Sequence, residues 1–275
     1  PEAVKLAGGV PVEVFAGADR NFEPSLEDLE AARTERTKAI IVNTPNNPTG
    51  AVWNPETVKA IGEWAVEHHV WVISDEIYEH LNYDGAKTTY IGAAVPEVRD
   101  QLLVLNGVAK TYAMPGWRVG WMVLSGNKRL AKDYIEGLNM LANMRMCSNV
   151  PAQSVVQTAL GGHQSVKDYL VPGGRIYDQR ELVYNMLNDI PGITAVKPKA
   201  AFYIFPKIDV KRFNIHSDEQ FALDLLHDKH ILISHGGAFN WHRPDHFRVV
   251  YLPRMGMLRE TMGEISDFFS YYWQS

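Results

Sequence analysis

The chain has 275 residues, of which 46% are apolar and 21% are charged, and its formal net charge is -5 at pH 7. These values are typical of a globular protein with a sizeable core, and they exclude the disordered and fibrous classes. The acidic balance gives no reason to expect nucleic acid or an anionic membrane surface as a partner.

The only cysteine, Cys147, cannot form an internal disulfide, which favours a reducing compartment. No signal-peptide pattern is present, and no apolar run approaches the ~18 residues that span a bilayer. We therefore expect a cytoplasmic protein with no membrane association. The chain begins at Pro1 with residues typical of the middle of a helix or turn, so we also expect an N-terminal portion to be absent.

The first half of the chain alternates short apolar runs with helical patterns. Ser25 and Asp28 predict the start of a short helix, and Asn54 with Pro55 predicts the start of a longer one that ends near His68. Apolar strands are predicted at residues 38–42, 70–74, 101–105 and 119–124. Such an alternation predicts an α/β domain with a mostly parallel sheet covered by helices on both faces.

The pattern changes after Gly126. Helices are predicted over most of residues 127–190, and residues 193–196 and 201–205 read as partners in a hairpin. The remaining predicted elements are a helix near residues 218–227, strands at 231–234 and 247–252, and a final helix. We therefore predict a large domain over residues 1–172, incomplete at its N-terminus, and a smaller α+β C-terminal domain over residues 173–275.

Polar residues follow three of the predicted strands directly. Asn47 lies in the turn-forming run at residues 46–50, Asp75 and Tyr78 follow the second strand, and Lys110 follows the third. Ligands of parallel sheets bind beyond the carboxyl ends of the strands, so these residues can converge although they are distant in sequence.

The combination of these residue types fits pyridoxal phosphate chemistry. That cofactor needs an amine for its aldehyde, a carboxylate for its pyridine nitrogen, donors for its phenolate oxygen and a cation for its phosphate. Lys110 would supply the amine, and Asp75 the carboxylate that keeps the ring nitrogen protonated. Alternatively, Lys110 is a surface lysine and Asp75 an ordinary turn residue, with Glu76 beside it as a second candidate carboxylate.

Tyr78 and Asn47 would donate to the phenolate oxygen, although core packing for Tyr78 and a loop turn for Asn47 are equally simple interpretations. Arg118 suits a phosphate, and Arg248, on a predicted strand, suits a substrate carboxylate. Each arginine could instead form a structural ion pair. The histidines show no ligand-like spacing, so we predict no metal site.

These residues resemble the motifs of the class I/II aminotransferases, which are pyridoxal phosphate enzymes of fold type I. The motifs are Asn46-Asn47-Pro48-Thr49-Gly50, Ser74-Asp75-Glu76-Ile77-Tyr78, and Lys110 followed by Gly116, Arg118 and Gly120. The resemblance implies that Lys110 is the Schiff-base lysine and Asp75 the pyridine partner. It also implies that Tyr78 and Asn47 contact the phenolate oxygen, Arg118 the phosphate and Arg248 the substrate, and that the protein is a homodimer.

The resemblance changes along the chain. Up to about Met122 the sequence is similar to bacterial aspartate aminotransferases, and from about Leu124 it is similar to glutamate–pyruvate (alanine) aminotransferases. One lineage with both patterns and a splice of two enzymes both remain open. The chain departs from the family at Ala109 and Gly107, where a hydroxyl that would contact the phosphate is absent.

The sequence therefore predicts an aminotransferase that moves an amino group between an L-amino acid and a 2-oxo acid, with alanine and glutamate/2-oxoglutarate favoured. Three alternatives stay open at this point: an aspartate aminotransferase, a β-lyase or decarboxylase on the same scaffold, and an inactive scaffold that lacks the family's N-terminal cofactor-binding segment. The partners expected in the first case are small amino acids and 2-oxo acids.

Overall fold

The first half of the chain is built around a four-stranded sheet in a computed structural model that describes residues 1–275. Its strands, in spatial order, are β1 (Ala39–Asn43), β2 (Trp71–Asp75), β3 (Leu102–Gly107) and β4 (Gly120–Leu124). The first three run parallel, and β4 is antiparallel to β3. The predicted mostly parallel sheet is thus confirmed, with an antiparallel strand at one edge.

Two helices beside this sheet begin near the predicted residues. Ser25 caps one of them, because its hydroxyl accepts a hydrogen bond of 3.1 Å from the Asp28 N–H. Asn54 precedes the other without capping it, since its side-chain amide donates to Glu23 at 2.9 Å instead. The helices of the first half are α1 (Glu2–Leu6), α2 (Leu26–Ala32), α3 (Pro55–Glu67) and α4 (Ile91–Ala94).

The two faces of the sheet differ in burial. One face packs against α3 in a core that includes Val42 and Val72. On the opposite face Ile41, Trp71 and Met122 are 58%, 38% and 37% exposed. The prediction of helices on both faces is therefore wrong for residues 1–275, because α3 covers one side only.

The second half contains two small antiparallel sheets. The helices are α5 (Lys132–Met144), α6 (Val150–Ser154), α7 (Val156–Gly161), α8 (Arg175–Asn188), α9 (Asp218–Lys229) and α10 (Met255–Tyr271). The strands are β5 (Ile193–Thr194), β6 (Tyr203–Ile204), β7 (Lys207–Ile208), β8 (Ser234–His235) and β9 (Phe247–Val250). β5 pairs with β7, while β9 lies between β6 and β8.

The predicted hairpin of residues 193–196 and 201–205 is wrong. The reason lies in the segment between them, where the N–H groups of Lys199 and Ala200 both donate to the Gly50 carbonyl at 2.9 Å, and Ala201 donates to the Leu81 carbonyl. These bonds attach the segment to the first half, so Ile193 pairs with Ile208 instead. The predicted strand at 231–234 is also displaced, since only its last residue belongs to β8.

Two separate hydrophobic clusters form the core. The first contains 12 buried residues between Leu29 and Leu102, and the second contains 24, most of them from Leu170 onward. The second cluster also includes Tyr78, Leu81 and Tyr83, so the segment after β2 packs into the core of the second half. None of the helices combines the length and the apolar character needed to cross a membrane.

Candidate active site

A cavity of about 530 Å³ lies beyond the carboxyl ends of β1 and β2. Asn43 and Asp75, the last residues of these strands, are direct neighbours in the sheet register. The lining residues are Asn43, Asn46, Asn47, Asp75, Ile77, Tyr78 and Lys110. The structure thus brings together Asn47, Asp75, Tyr78 and Lys110, as their positions after the strands predict.

The side-chain amine of Lys110 has no hydrogen-bond or ion-pair partner, although its backbone carbonyl accepts a hydrogen bond from the Ala113 N–H. Its Nζ atom lies 5.8 Å from the centre of the Tyr78 ring and 5.8 Å from the centre of the Phe202 ring. Phe202 immediately precedes β6, so the second half of the chain forms one wall beside the amine. An unpaired amine next to two aromatic rings is suited to react with a carbonyl compound in the cavity.

Asp75 is held by the backbone that follows it, because its Oδ1 atom accepts a hydrogen bond of 3.2 Å from the Ile77 N–H. Burial raises the pKa of the Asp75 carboxyl, while the hydrogen bonds from Ile77 and Asn43 and the charge of Lys110 act in the opposite direction. Because burial outweighs these contacts, a cationic group placed beside Asp75 would be strongly favoured.

Tyr78 is buried, and its hydroxyl lies 3.0 Å from the hydroxyl of Tyr203. Burial raises the pKa of the Tyr78 phenol, and the contact with Tyr203 raises it further. The phenol therefore stays protonated at neutral pH and can act as a hydrogen-bond donor toward the cavity.

Arg248 and Asn47 meet at the edge of the cavity, where the Nη1 atom of Arg248 donates to the Asn47 Oδ1 atom at 2.9 Å. An arginine can only donate, so this bond fixes the orientation of the Asn47 amide and leaves its NH₂ group available to the cavity. The guanidinium carbon lies 4.6 Å from the ring centre of Tyr203 and 4.7 Å from that of Phe239. Its Nε atom is buried and has no partner.

Arg118 and Arg248 are the two predicted site residues that are not among the lining residues, and only Arg248 contacts one of them, Asn47. Arg118 is exposed at the end of a short turn at Pro115–Trp117, with φ of +54°, and its Nη1 atom donates to the Pro115 carbonyl at 2.8 Å. A role for Arg118 at a phosphate stays a prediction.

Sequence reasoning missed several residues of the site. Asn43 could have been found, because it ends β1 as Asp75 ends β2. Phe202, Tyr203 and Phe239 carry no comparable signal, since their place at the site depends on the pairing of β6 with β9 and on the packing of the two halves.

The side chains fit the cofactor that the sequence predicts. Lys110 offers an unpaired amine for an aldehyde. Asp75 offers a half-buried carboxylate, and a protonated ring nitrogen beside it would lower its raised pKa. Tyr78 and the Asn47 amide have hydrogens to donate to a phenolate oxygen. The set contains no group of three or more histidine, cysteine, aspartate or glutamate residues able to hold a metal ion.

The fold and the cavity define an α/β protein of the transferase-like class, with its site at the ends of parallel strands. Comparison with known sequences identifies the family to which the chain belongs. The profile of the family described as aminotransferase class I and II matches residues 1–263, and the chain belongs to this family.

Relatives and solved structures agree with this assignment. The chain is 48% identical to the glutamate-pyruvate aminotransferase AlaA of Haemophilus influenzae over 272 residues, which are 99% of this chain and 67% of the relative. It is 37% identical to the aspartate aminotransferase of Streptomyces avermitilis, with 91% of this chain and 61% of the relative covered. The crystal structure of an aminotransferase from Escherichia coli superposes with a TM-score of 0.96 at 46% identity, covering 99% and 67% of the two chains. This chain thus spans about two thirds of their length.

Proposed function

We propose that the protein is a pyridoxal-phosphate-dependent aminotransferase that exchanges the amino group of alanine with 2-oxoglutarate. The observation that carries this proposal is the unpaired Lys110 amine in one cavity with the half-buried Asp75 carboxylate. The choice of alanine is supported by the relatives, because the glutamate-pyruvate aminotransferase is similar over nearly the whole chain, and the aspartate aminotransferase is less similar.

The proposed mechanism assigns one task to each side chain. Pyridoxal phosphate, when bound, supplies an aldehyde for the amino group and a ring that withdraws electrons from the substrate α-carbon. Lys110 would hold the aldehyde and, after the substrate displaces it, move a proton from the α-carbon with its Nζ atom. Asp75 would keep the ring nitrogen protonated by accepting its hydrogen bond. Arg248 would bind the substrate carboxylate and so orient the α-hydrogen toward Lys110.

The cofactor assignment is tested by absorption spectroscopy of the purified protein mixed with pyridoxal phosphate. We expect a near-visible band that shifts on addition of alanine and is absent in the Lys110→Ala variant. The matched control is Lys87→Ala, because Lys87 is exposed and lies outside the cavity. A protein that leaves the cofactor spectrum unchanged would fit an inactive scaffold instead.

The substrate assignment requires a direct comparison of amino donors. Alanine, aspartate and an aromatic amino acid are each tested with 2-oxoglutarate, and we expect the highest kcat/KM with alanine. Higher kcat/KM with aspartate would favour the aspartate aminotransferase reading of the first half. Ammonia and pyruvate formed without a 2-oxo acid acceptor would identify a lyase.

The quaternary state and location belong to the same proposal. We expect a homodimer in the cytoplasm, and the apolar residues left exposed near α5 support self-association. Met140, Met144 and Met146 are 59%, 80% and 87% exposed. Sedimentation velocity of the unsubstituted chain and of Met144→Glu measures this directly, with Leu232→Glu, an exposed residue far along the chain, as the control. A monomer at all concentrations would contradict the dimer.

A further inference from the structure

Tyr203 contacts both the donor to the proposed cofactor and the proposed substrate-binding arginine. It lies on β6, opposite Val250 of β9, and is only 6% exposed. Its hydroxyl is 3.0 Å from the hydroxyl of Tyr78, and its ring centre is 4.6 Å from the guanidinium carbon of Arg248.

The hydroxyl pair restricts where the hydrogens point. Neither the Tyr78 nor the Tyr203 hydroxyl has any other hydrogen-bond partner in the chain. Each hydroxyl carries a single hydrogen, so Tyr78 can donate into the cavity only if Tyr203 is the donor within the pair. A negatively charged oxygen in the cavity would therefore favour the arrangement in which Tyr203 donates to Tyr78 and Tyr78 donates to that oxygen. Consecutive hydrogen bonds of this kind strengthen one another.

The ring of Tyr203 has a separate effect on Arg248. Together with Phe239 it packs against the guanidinium, whose carbon lies 4.6 Å and 4.7 Å from the two ring centres. The Nη1 atom donates to Asn47 at 2.9 Å, and the Nη2 atom donates to the Ser234 hydroxyl at 3.4 Å. The two rings thus restrict the orientation of the guanidinium, whose remaining N–H groups can bind a carboxylate.

We propose that Tyr203 is a positioning residue that acts on both partners: its hydroxyl orients the Tyr78 hydrogen toward the cofactor oxygen, and its ring fixes Arg248 for the substrate carboxylate. The inference rests on the proposed function and deepens it. The two contacts separate chemically, because phenylalanine at this position keeps the ring and loses the hydroxyl, whereas leucine loses both.

The hydroxyl effect is measured by pH titration of the near-visible band of the cofactor-loaded protein. A hydrogen-bond donor to a charged oxygen stabilises the form of the cofactor in which that oxygen is charged. Tyr203→Phe should therefore raise the pH midpoint of the titration by roughly half a pH unit, and Tyr78→Phe should raise it further. Tyr251→Phe is the matched control, since its hydroxyl is buried in the same core but bonds to Tyr83 and the Ala201 carbonyl. A midpoint in Tyr203→Phe equal to that of the control would overturn the proposal.

Other charged and titratable groups surround the two tyrosines and bear on this titration. The Arg248 guanidinium carbon lies 4.6 Å from the Tyr203 ring centre and the Lys110 Nζ atom 5.8 Å from the Tyr78 ring centre, and Asp75 acts electrostatically on Tyr78. These three residues are unchanged in Tyr203→Phe and in the control, so their charges enter both titrations equally. Tyr251, which interacts with Tyr203, is unchanged in Tyr203→Phe and is the residue replaced in the control.

The ring effect is measured by steady-state kinetics. Tyr203→Leu should raise KM for the amino donor about tenfold relative to Tyr203→Phe, in the range of losing a ring stacked on a cation. Equal KM values in the two variants would overturn the role of the ring.

Failure of the proposed function is distinguished by a measurement without cofactor. Urea unfolding of Tyr78→Phe, Tyr203→Phe and the double variant forms a double-mutant cycle, and we expect the second substitution to cost less once the first is present. Additive effects would overturn the hydroxyl pair itself. A third outcome is that the cycle shows coupling but the unsubstituted protein gives no absorption band with pyridoxal phosphate. This result would overturn the proposed function and with it the role of Tyr203 toward a cofactor.

Discussion

Asp75 is the residue whose charge should matter most for the proposed reaction. Burial raises the pKa of its carboxyl, and the charge of Lys110 in the same cavity offsets this rise only in part. Asp75→Asn keeps the shape and removes the charge. We expect kcat to fall by roughly 100-fold or more, the range found when one electrostatic contact to a reacting group is lost. Transient kinetics with alanine measures this, and an unchanged rate would contradict the assignment.

Glu76 makes a different contribution, to stability. Burial raises the pKa of its carboxyl from 4.5 to about 7, and the nearby Glu79 and Asp75 add to the effect, although Ser74 donates to the carboxylate at 3.0 Å. Between pH 4.5 and about 7 the Glu76 carboxyl is protonated in the folded protein and ionised in the unfolded chain. Stability therefore falls as the pH rises from about 4.5 to about 7, and the full cost remains above that range.

The Glu76→Gln variant tests this pH dependence. We expect its free energy of unfolding to exceed that of the unsubstituted protein by about 1–3 kcal/mol at pH 8, because one pKa unit corresponds to about 1.4 kcal/mol. Near pH 4 the difference should disappear, since both states are then protonated. Urea titrations at several pH values measure it. Glu260→Gln, at an exposed position in α10, should show no such pH trend.

At the scale of elements, the loop after β1 is attached to the segment before β6 through Gly50. Its φ is +69°, and a Cβ atom there would lie 2.6 Å from the Pro198 Cβ and 3.0 Å from the Ala200 carbonyl oxygen. Gly50→Ala should therefore lower the free energy of unfolding by about 2 kcal/mol or more, from backbone strain and overpacking together.

Gly85 supplies the control for this prediction. Its φ of +73° is similar, but a Cβ atom there would have nothing within 4 Å. Gly85→Ala should cost only about 1 kcal/mol, the penalty of the left-handed backbone alone. Urea unfolding of both variants compares the two values, and equal losses would mean that the contact with the segment at 198–200 contributes nothing.

The lengths and pairings of the strands explain which parts of the fold could be predicted from the sequence. Strands β1 to β3 are apolar runs that end in polar residues, so their ends, and with them Asp75 and Lys110, could be placed from local pattern alone. Strands β5 to β8 have two residues each, and their pairing depends on distant contacts such as those of Lys199 with Gly50. No local pattern encodes such contacts, which is why the hairpin prediction failed.

Gly107 is a single residue whose structural role could likewise not be predicted from the sequence. The sequence indicates only that the hydroxyl expected from the family is missing there. In the structure Gly107 faces Gly120 across β3 and β4, and a Cβ atom would lie 2.9 Å from the Val119 carbonyl oxygen. The close approach of the two strands therefore excludes a side chain at this position, whatever the cofactor requires.

At the scale of the whole molecule, the cavity is lined by residues of the first half, and residues of the second half contact this lining. Asn47, Asp75 and Lys110 come from the ends of the parallel strands, while Tyr203 and Arg248 come from β6 and β9. Tyr78, which lines the cavity, belongs to the hydrophobic core of the second half. A ligand that reaches from Lys110 to Arg248 would thus contact residues of both halves at once.

This arrangement predicts that pyridoxal phosphate stabilises the two halves together. At about 100 times its dissociation constant the cofactor should raise the free energy of unfolding by about 2.7 kcal/mol, which is roughly 5 °C in Tm for a chain of this size. Lys110→Ala should reduce the shift, because the covalent bond is lost. Hydrogen exchange should slow both in residues 71–83 and in residues 199–205, while α5, outside the cavity, serves as the internal control. Protection confined to residues 71–83 would mean that the second half takes no part in binding the cofactor.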